Sequence, residues 1–226
     1  MTQKIIISLG GSLIYPDKID LDFIKEFKSL IEEYVKKDFI FIIVCGGGKI
    51  CRDYIKSASE IRDLSDQEKD ILGIQVTKLN AYLMKSIFNP DLVYEEVFDN
   101  PTIPLNTNKK VIICSGYKPG CSTDYDAVLL AENLKADTII NMSNVSHVCD
   151  CDPKKNSNAK KLTKISWKDY RNLIGNKWSP GLNTPFDPIA SKKAYELALK
   201  VIIIGKSLNN LKNILDKKTF DGTVIS

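Results

Sequence analysis

Apolar residues along this chain gather in short continuous runs instead of alternating with polar residues. Five of these runs have the length of a β-strand, at residues 4–9, 39–45, 111–114, 137–142 and 201–204. Continuous apolar runs are typical of strands that are covered on both faces, as in a parallel sheet. The pattern therefore predicts a mainly parallel sheet buried between two layers.

Between these runs, apolar residues recur at the spacing of an amphipathic helix. The predicted helices span residues 20–36, 49–63, 67–88, 124–135, 187–199 and 208–216. Strands that alternate with helices are joined by right-handed crossovers into a doubly wound α/β sandwich. The sequence contains no internal repeat or low-complexity linker, so we predict a single domain over residues 1–226.

Two segments depart from the simple alternation of strands and helices. The helix at 67–88 has apolar residues around more than one face, so we expect its own domain and a second subunit to cover it. Segment 143–166 contains short irregular pieces and a turn at Asp152-Pro153. That pattern predicts a hairpin lying above the sheet.

Composition and charge exclude several classes of protein. The chain is 43% hydrophobic and 27% charged, which is ordinary for a globular domain. It contains no apolar run of about 18 residues that could span a membrane, and the stretch IIISLGG lacks the flanks of a signal peptide, so we expect a cytoplasmic protein. A formal net charge of +4, spread along the chain, argues against a nucleic acid partner. We interpret the lysine-rich stretch DPKKNSNAKKLTK as a solvated loop.

Cysteine and histidine usage limits metal and triad chemistry. The six cysteines include no CxxC pair, so we expect reduced thiols. Cys149 and Cys151 are too few to predict a structural metal site when the chain has one histidine. We interpret that histidine, His147, as a loop residue.

Glycine-rich segments follow three of the predicted strands. They are SLGGS at 8–12, GGGK at 46–49 and SGYKPGCSTD at 115–124. Ligands of parallel sheets bind beyond the carboxyl ends of the strands. Glycine lets the backbone approach a phosphate closely, and a helix N-terminus behind it offers free N–H groups. Three such segments at one edge predict a single site for a ligand with several phosphates.

The common nucleotide-binding and hydrolase motifs are absent. Gly48-Lys49 is followed by Ile50 rather than by Ser or Thr, which excludes a Walker A loop. The sequence also contains no GxGxxG, HRD, DFG or GxSxG motif.

The third glycine-rich segment leads into the predicted helix at 124–135. We predict Thr123 as its N-cap, with Asp126 returning a hydrogen bond in a capping box. Asp124 and Asp126 would repel an anion at this helix N-terminus. An acceptor phosphate with Mg²⁺ nearby would resolve that conflict.

Seven segments, in order along the chain, resemble the archaeal-type uridylate kinases of the amino acid kinase family. They are SLGGS, GGGKICRDYI, GIQVTKLNAYLM, GYKPGCSTDYDAVLLAENLKADTII, DPKKNSNAKKLTKIS, FDPIASKKAYE and DGTVI. The resemblance implies a three-layer αβα fold with a mainly parallel sheet, assembled as a homohexamer that is a trimer of dimers. It implies transfer of the γ-phosphoryl group of Mg-ATP to UMP, with ATP and Mg²⁺ as cofactors. It also implies a UMP-binding part at about residues 1–135 and an ATP-binding part at about residues 136–226.

The resemblance further implies roles for individual residues. Catalytic roles are implied for Gly10, Gly11, Arg52 and Asp187. ATP binding is implied for Ser8, Leu9, Gly10, Gly11, Ser12, Gly48, Arg52, Ser143, Asn144, Cys149 and Asp152. UMP binding is implied for Gly47, Asp70, Tyr117, Lys118, Pro119, Gly120, Cys121, Ser122 and Thr123. No side chain is implied as a metal ligand.

The chain departs from the family pattern at the end of its first strand. Ser8 occupies the position where many members place a lysine that neutralises the transferring group. Lys49 and Lys4 are the candidates to replace that positive charge.

A second departure is NVSHVC at 144–149, where the family usually has a sequence like NVDGVY. Ser146, His147 and Cys149 replace the aspartate, the turn glycine and the tyrosine. A side chain at the glycine position is expected to change the backbone there. These departures keep two alternatives to a UMP kinase open. One is a sister kinase for another small acid or phosphate, such as carbamate or isopentenyl phosphate, and the other is a non-catalytic nucleotide- or oxyanion-binding protein.

Overall fold

The computed structural model describes residues 3–153, 156, 158–175 and 184–226. Its strands, in chain order, are β1 (Gln3–Leu9), β2 (Phe39–Cys45), β3 (Val111–Cys114), β4 (Thr138–Met142), β5 (Val148–Cys149), β6 (Lys161–Leu162), β7 (Lys164–Ile165), β8 (Lys200–Ile204) and β9 (Thr223–Ile225). One sheet has the spatial order β3-β2-β1-β4-β8-β9-β7. All of its pairings are parallel except that of β8 with β9, and β5 pairs with β6 as a separate antiparallel hairpin.

Helices connect these strands and cover both faces of the sheet. They are α1 (Gly11–Ile14), α2 (Leu21–Val35), α3 (Gly48–Ile61), α4 (Asp66–Ser86), α5 (Thr123–Leu134), α6 (Trp167–Ile174), α7 (Pro188–Glu196) and α8 (Leu208–Leu215). None of the described helices combines the length and the apolar content that crossing a membrane requires.

The sheet separates two apolar cores. Neighbouring residues of a strand point to opposite faces, so Ile7 packs with α2, α4 and α8, while Ile6 packs with α5, α6 and α7. Both side chains are fully buried. This confirms the α/β fold with a helical layer on each side of a mainly parallel sheet.

The predicted strands and helices are confirmed, with ends that differ by at most three residues. The hairpin predicted within 143–166 is also confirmed, as β5 and β6. Four elements were not predicted, namely α1, α6, β7 and β9. α1, β7 and β9 are too short to show a periodic pattern, whereas α6 has apolar residues at helical spacing that the prediction missed. Within the lysine-rich stretch, Lys154 and Lys155 lie outside the described residues.

The predicted start of α5 is wrong by one residue. Ser122, not Thr123, is the N-cap, because its hydroxyl accepts the Tyr125 N–H at 3.0 Å. Asp126 does not return a bond to the cap and instead accepts the Tyr117 N–H at 3.1 Å. Serine and threonine cap helices about equally well, so the choice between adjacent residues is made by the chain path into the helix.

Candidate active site

Two glycine-containing loops contact each other through their backbones. The first glycine loop, residues 10–12, follows β1, and the second glycine loop, residues 46–48, follows β2. A Cβ added to Gly11 would lie 2.3 Å from the Gly46 carbonyl oxygen. A Cβ on Gly48, whose φ is +66°, would lie 2.3 Å from the Gly11 carbonyl carbon. No side chain fits at either position, so these glycines are required by the contact between the two loops. The contact brings the N-terminus of α3 beside the end of β1.

Asn80 of α4 forms a hydrogen bond that holds the second glycine loop in place. Its side-chain amide is buried and donates to the Gly46 carbonyl oxygen at 2.8 Å. The chain therefore uses a buried amide on one helix to fix the loop that starts the preceding helix.

Ser8, Asp124 and Asn141 form a hydrogen-bonded group at the carboxyl ends of β1 and β4. The Ser8 hydroxyl donates to Asp124 Oδ1 at 3.0 Å, and the Asn141 amide donates to the same oxygen at 2.9 Å. Ser8 and Asn141 are register partners on neighbouring parallel strands. The pairing of β1 with β4 thus places two hydrogen-bond donors, Ser8 and Asn141, beside one carboxylate oxygen.

Asp187 joins this group from the start of α7. Its N–H donates to Asp124 Oδ2 at 3.2 Å. Its own Oδ1 caps α7 by accepting the N–H groups of Ile189 and Ala190 at 2.7 and 2.9 Å, and its Oδ2 accepts the Ser122 hydroxyl. The buried Asp187 carboxylate therefore links the N-termini of α5 and α7.

The acidic side chains of this region hold their protons unusually tightly. Burial, followed by the charge of Asp187, raises the pKa of Asp124 to about 7. Burial also raises the pKa of Asp126 to about 7 and that of Asp187 above its ordinary value. Perturbed carboxylates that share a buried edge are common in active sites.

Three side chains from two helices accept backbone N–H groups of the β3–α5 loop, residues 115–122. Thr77 of α4 accepts the Gly116 N–H at 2.9 Å, and Asp70 of α4 accepts the Gly120 N–H at 2.7 Å. Between them, Asp126 of α5 accepts the Tyr117 N–H. The loop therefore spans the space between α4 and α5 with its backbone anchored on both sides.

The segment after β4 lies against the first glycine loop. The Gly10 N–H donates to the Met142 carbonyl at 2.7 Å, and a Cβ on Gly10 would lie 3.2 Å from that of Ser143. Farther along, a cavity of about 440 Å³ opens beside the β5–β6 hairpin. Its lining includes Val145, Cys149, Asp152, Leu173 and Ile174. A cavity of this size and mixed polarity falls in the range of small-molecule sites.

His147 occupies an ordinary backbone conformation in the loop before β5. The non-glycine residues with positive φ in the described ranges are Asp38, Lys135, Ala198 and Lys217. His147 therefore lies outside the positive-φ region that favours glycine. In its buried ring, Nδ1 lies 3.0 Å from the Ser146 hydroxyl and Nε2 lies 3.2 Å from Asp221 Oδ1. The contact with Asp221 connects this loop to the segment before β9.

The cations that could replace the lysine missing at position 8 lie at different distances from Ser8. Lys4 is at the opposite end of β1 from Ser8, about 13 Å along the strand, and donates to the Leu134 carbonyl. It is therefore not a replacement for the missing lysine. Lys49 lies in the first turn of α3 and pairs with Asp53 at 2.9 Å. Arg52, one turn later, is exposed and has no hydrogen bond or ion pair within the part of the chain that the structure describes.

The fold brings the predicted residues to one edge of the sheet. The first glycine loop contacts the second glycine loop and Ser143. Ser8, just before the first loop, bonds to Asp124, which with Asp187 forms the acidic group. Asp70 bonds to the β3–α5 loop. Sequence reasoning assigned no role to Asp124, Asn141 or Thr77. Of these three residues, only Asp124 could have been singled out from the sequence. Its carboxylate lies at a helix N-terminus that faces the predicted phosphate site, where it would repel an anion.

Known proteins are similar to this chain over most of its length. The profile of the amino acid kinase family matches residues 3–205. A uridylate kinase of Pyrococcus abyssi is 37% identical over 210 residues, which are 90% of this chain and 91% of that protein. A uridylate kinase of Methanococcus aeolicus is 34% identical over 228 residues, which are 99% of this chain and 100% of that protein.

Solved structures show the same similarity. The crystal structure of uridylate kinase from Archaeoglobus fulgidus matches with a TM-score of 0.84 at 32% identity, covering 99% of this chain and 100% of that one. UMP kinase from Ureaplasma parvum matches with a TM-score of 0.74 at 22% identity, covering 100% and 99%. The second match concerns the fold alone.

Proposed function

Since the chain belongs to the amino acid kinase family, we propose that it is a UMP kinase, which transfers the γ-phosphoryl group of ATP to UMP and gives UDP. Curated relatives that match nearly the whole chain are named uridylate kinases. We place the reaction in pyrimidine nucleotide biosynthesis in the cytoplasm. The observation that carries the proposal is the contact of the two glycine loops beside the group of Ser8, Asp124 and Asp187.

Phosphoryl transfer suits this edge of the sheet. The reaction needs positioning and neutralisation of charge more than covalent chemistry from the protein. The backbone of Gly10 and the N–H groups of Gly11 and Gly48 are proposed to lie against the transferring phosphates, with the exposed Arg52 supplying positive charge. Asp187 and Asp124 are proposed to hold these loops in place, because they join the N-termini of α5 and α7 to the end of β1.

We propose Mg²⁺ as the cofactor that arrives with ATP. Mg²⁺ is usually held by one or two carboxylates together with phosphates and water. No group of three or more metal-binding side chains occurs among the described residues, and both oxygens of Asp124 already accept hydrogen bonds. These residues fit a cation that is bound mainly by the nucleotide. When bound, the cation would neutralise the charge of the phosphates.

The two substrates are proposed to occupy opposite sides of the glycine loops. UMP would lie against Gly47, Asp70 and the stretch from Tyr117 to Thr123, which α4 and α5 hold in position. ATP would lie against Leu9, Ser12, Ser143 and Asn144, with its base in the cavity beside Cys149 and Asp152. The glycine contact then lies between the two nucleotides, where the phosphates must approach each other.

A coupled ADP-release assay tests the function. With Mg-ATP we expect ADP release that depends on UMP, and little release with CMP. Absence of UMP-dependent turnover with ATP, GTP or CTP as donor would contradict the proposal. In that case, a rise in melting temperature with UMP would favour a binding protein without catalysis. Turnover with carbamate or isopentenyl phosphate in place of UMP would indicate a sister kinase.

Asp124→Asn tests the acidic group in the same assay. The new amide can accept from one side only, so it cannot accept from both the Asn141 amide and the Asp187 N–H. We expect kcat to fall by about a hundredfold, as when a preorganised group is lost from an active site, with no loss of melting temperature. Asp22→Asn, an exposed acid in the first turn of α2, is the matched control. A variant Asp124→Asn with wild-type kcat would remove Asp124 from the site.

A further inference from the structure

Asp126 is a buried acid that the proposed reaction does not use. Its residue is 1% exposed, and it lies in the first turn of α5. Its Oδ2 accepts the Tyr117 N–H, while its Oδ1 has no hydrogen-bond partner among the described residues. The charge of Lys118 favours its ionised form, but the two side chains do not form an ion pair within the described residues.

Packing and helix stability do not account for an aspartate at this position. A carboxylate without full hydrogen bonding is costly to bury, and an apolar side chain of similar size would usually stabilise the fold more. The dipole of α5 favours an acid in its first turn. Asp124 already supplies one there, and its charge opposes a second one on Asp126. The Tyr117 contact is the interaction that distinguishes Asp126 from an apolar residue.

Three side chains accept backbone N–H groups of the β3–α5 loop. Of these three, Asp126, which accepts the Tyr117 N–H, is the one that belongs to α5. Thr77 and Asp70, which hold the loop at Gly116 and Gly120, both belong to α4. Without Asp126, the part of the loop from Gly116 to Gly120 would keep side-chain anchors to α4 alone, while Ser122 would still cap α5. The backbone at Tyr117 would then be free to move away from α5 and from the acidic group.

We propose that Asp126 is a positioning residue for the phosphoryl acceptor, because it fixes the β3–α5 loop to α5 through the Tyr117 N–H. The proposal rests on the proposed function, in which this loop encloses UMP. Asp126 touches neither substrate in this arrangement and acts through the loop. It therefore affects the binding of UMP rather than that of ATP.

Two variants of Asp126 separate the hydrogen bond from the charge. Asp126→Val removes the acceptor, and Asp126→Asn keeps an oxygen that can accept the Tyr117 N–H. For Asp126→Val we expect the KM for UMP to rise about tenfold, as for a lost hydrogen bond to a charged group. The KM for ATP and kcat should change less than about twofold. Asp126→Asn should restore the KM for UMP, and Asp22→Val should match the wild type.

A merely structural role would not produce this pattern. Equal rises in both KM values, or an unchanged KM for UMP in Asp126→Val, would overturn the proposal. Failure of Asp126→Asn to restore the KM would do the same. The melting temperature of each variant shows whether the comparison is made between folded proteins, and we expect no loss, since a buried carboxylate is removed.

Hydrogen exchange separates this proposal from the proposed function. We expect faster exchange of the Tyr117 amide in Asp126→Val than in Asp126→Asn and the wild type, whatever reaction the protein catalyses. Equal exchange in all three would overturn the anchoring role. A wild-type protein without UMP-dependent turnover would instead overturn the function, while the exchange result still decides the anchor.

Discussion

At the scale of single residues, close approach of backbone segments decides which side chains are allowed. Gly11 and Gly48 face each other where two loops meet, and a Cβ on either would lie within 2.3 Å of the other loop. The three consecutive glycines at 46–48 are therefore explained first by protein packing. Any role toward a phosphate is built on that contact.

Gly48→Ala should prevent the two loops from meeting. Gly48 combines a positive φ with a steric clash against backbone, which cannot move aside cheaply. We expect a loss of at least about 3 kcal/mol in the free energy of unfolding, measured in urea. Gly175→Ala is the control, because Gly175 has a φ of +78° but no atom within 4 Å of the added Cβ. It should lose less, about 1–3 kcal/mol, because only backbone strain opposes the added Cβ. Equal losses in the two variants would mean that the loop contact is absent.

The buried acids predict that stability falls as pH rises toward neutrality. Asp126 has a pKa of about 7 in the folded protein against 3.8 ordinarily, so the folded state binds its proton more tightly than the unfolded state does. This contribution to stability is complete below about pH 4 and is lost as pH rises to about 7. In urea unfolding across that range, we expect Asp126→Asn to show a smaller fall than the wild type. Parallel curves for the two proteins would contradict this prediction.

At the scale of secondary structure elements, α4 serves two sides of the proposed site. Asp70, Thr77 and Asn80 follow helical spacing and lie on neighbouring faces of the helix. Asp70 and Thr77 hold the β3–α5 loop, and Asn80 holds the glycine loop before α3. One rigid helix therefore sets the distance between two loops that are proposed to contact UMP.

Asn80→Ala should loosen the glycine loop. It removes a buried amide and leaves the Gly46 carbonyl without this donor. We expect a loss of about 1–3 kcal/mol in the free energy of unfolding and a higher KM for UMP. Asn209→Ala, an exposed asparagine in α8, should change neither quantity. A normal KM in Asn80→Ala would show that the loop keeps its place without the amide.

At the scale of the whole molecule, the outer faces of α3 and α4 leave large apolar side chains exposed. They are Tyr54, Ile61, Ile71, Leu79 and Tyr82, each between 44% and 87% exposed. Exposed apolar patches of this kind commonly mark interfaces. They agree with the cover expected from a second subunit, and the homohexamer stays a prediction.

Leu79→Asp should dissociate the predicted assembly. Leu79 is 61% exposed on α4, and a buried charge at an apolar interface is strongly unfavourable. We expect light scattering after size exclusion to give a smaller mass than for the wild type. Leu21→Asp, at a residue that is 60% exposed on α2, is the matched control and should keep the wild-type mass. A wild-type mass for Leu79→Asp would place any interface elsewhere.

Local sequence patterns were enough to predict the strands, most of the helices and the edge of the sheet where the proposed site lies. Continuous apolar runs and helical spacing are local signals, and parallel strands present their following loops at one edge. The resemblance to uridylate kinases likewise followed from residues read in order.

Which distant residues meet depends on how the whole chain folds. Ser8 and Asp124 are 116 positions apart, and Tyr34 reaches Asp216 across 182 positions. The order and register of the strands bring such residues together, and no pattern within a few residues encodes them. For the same reason, the contact of Gly11 with Gly48 could not be predicted from local patterns. It depends on how the loops after two different strands pack together.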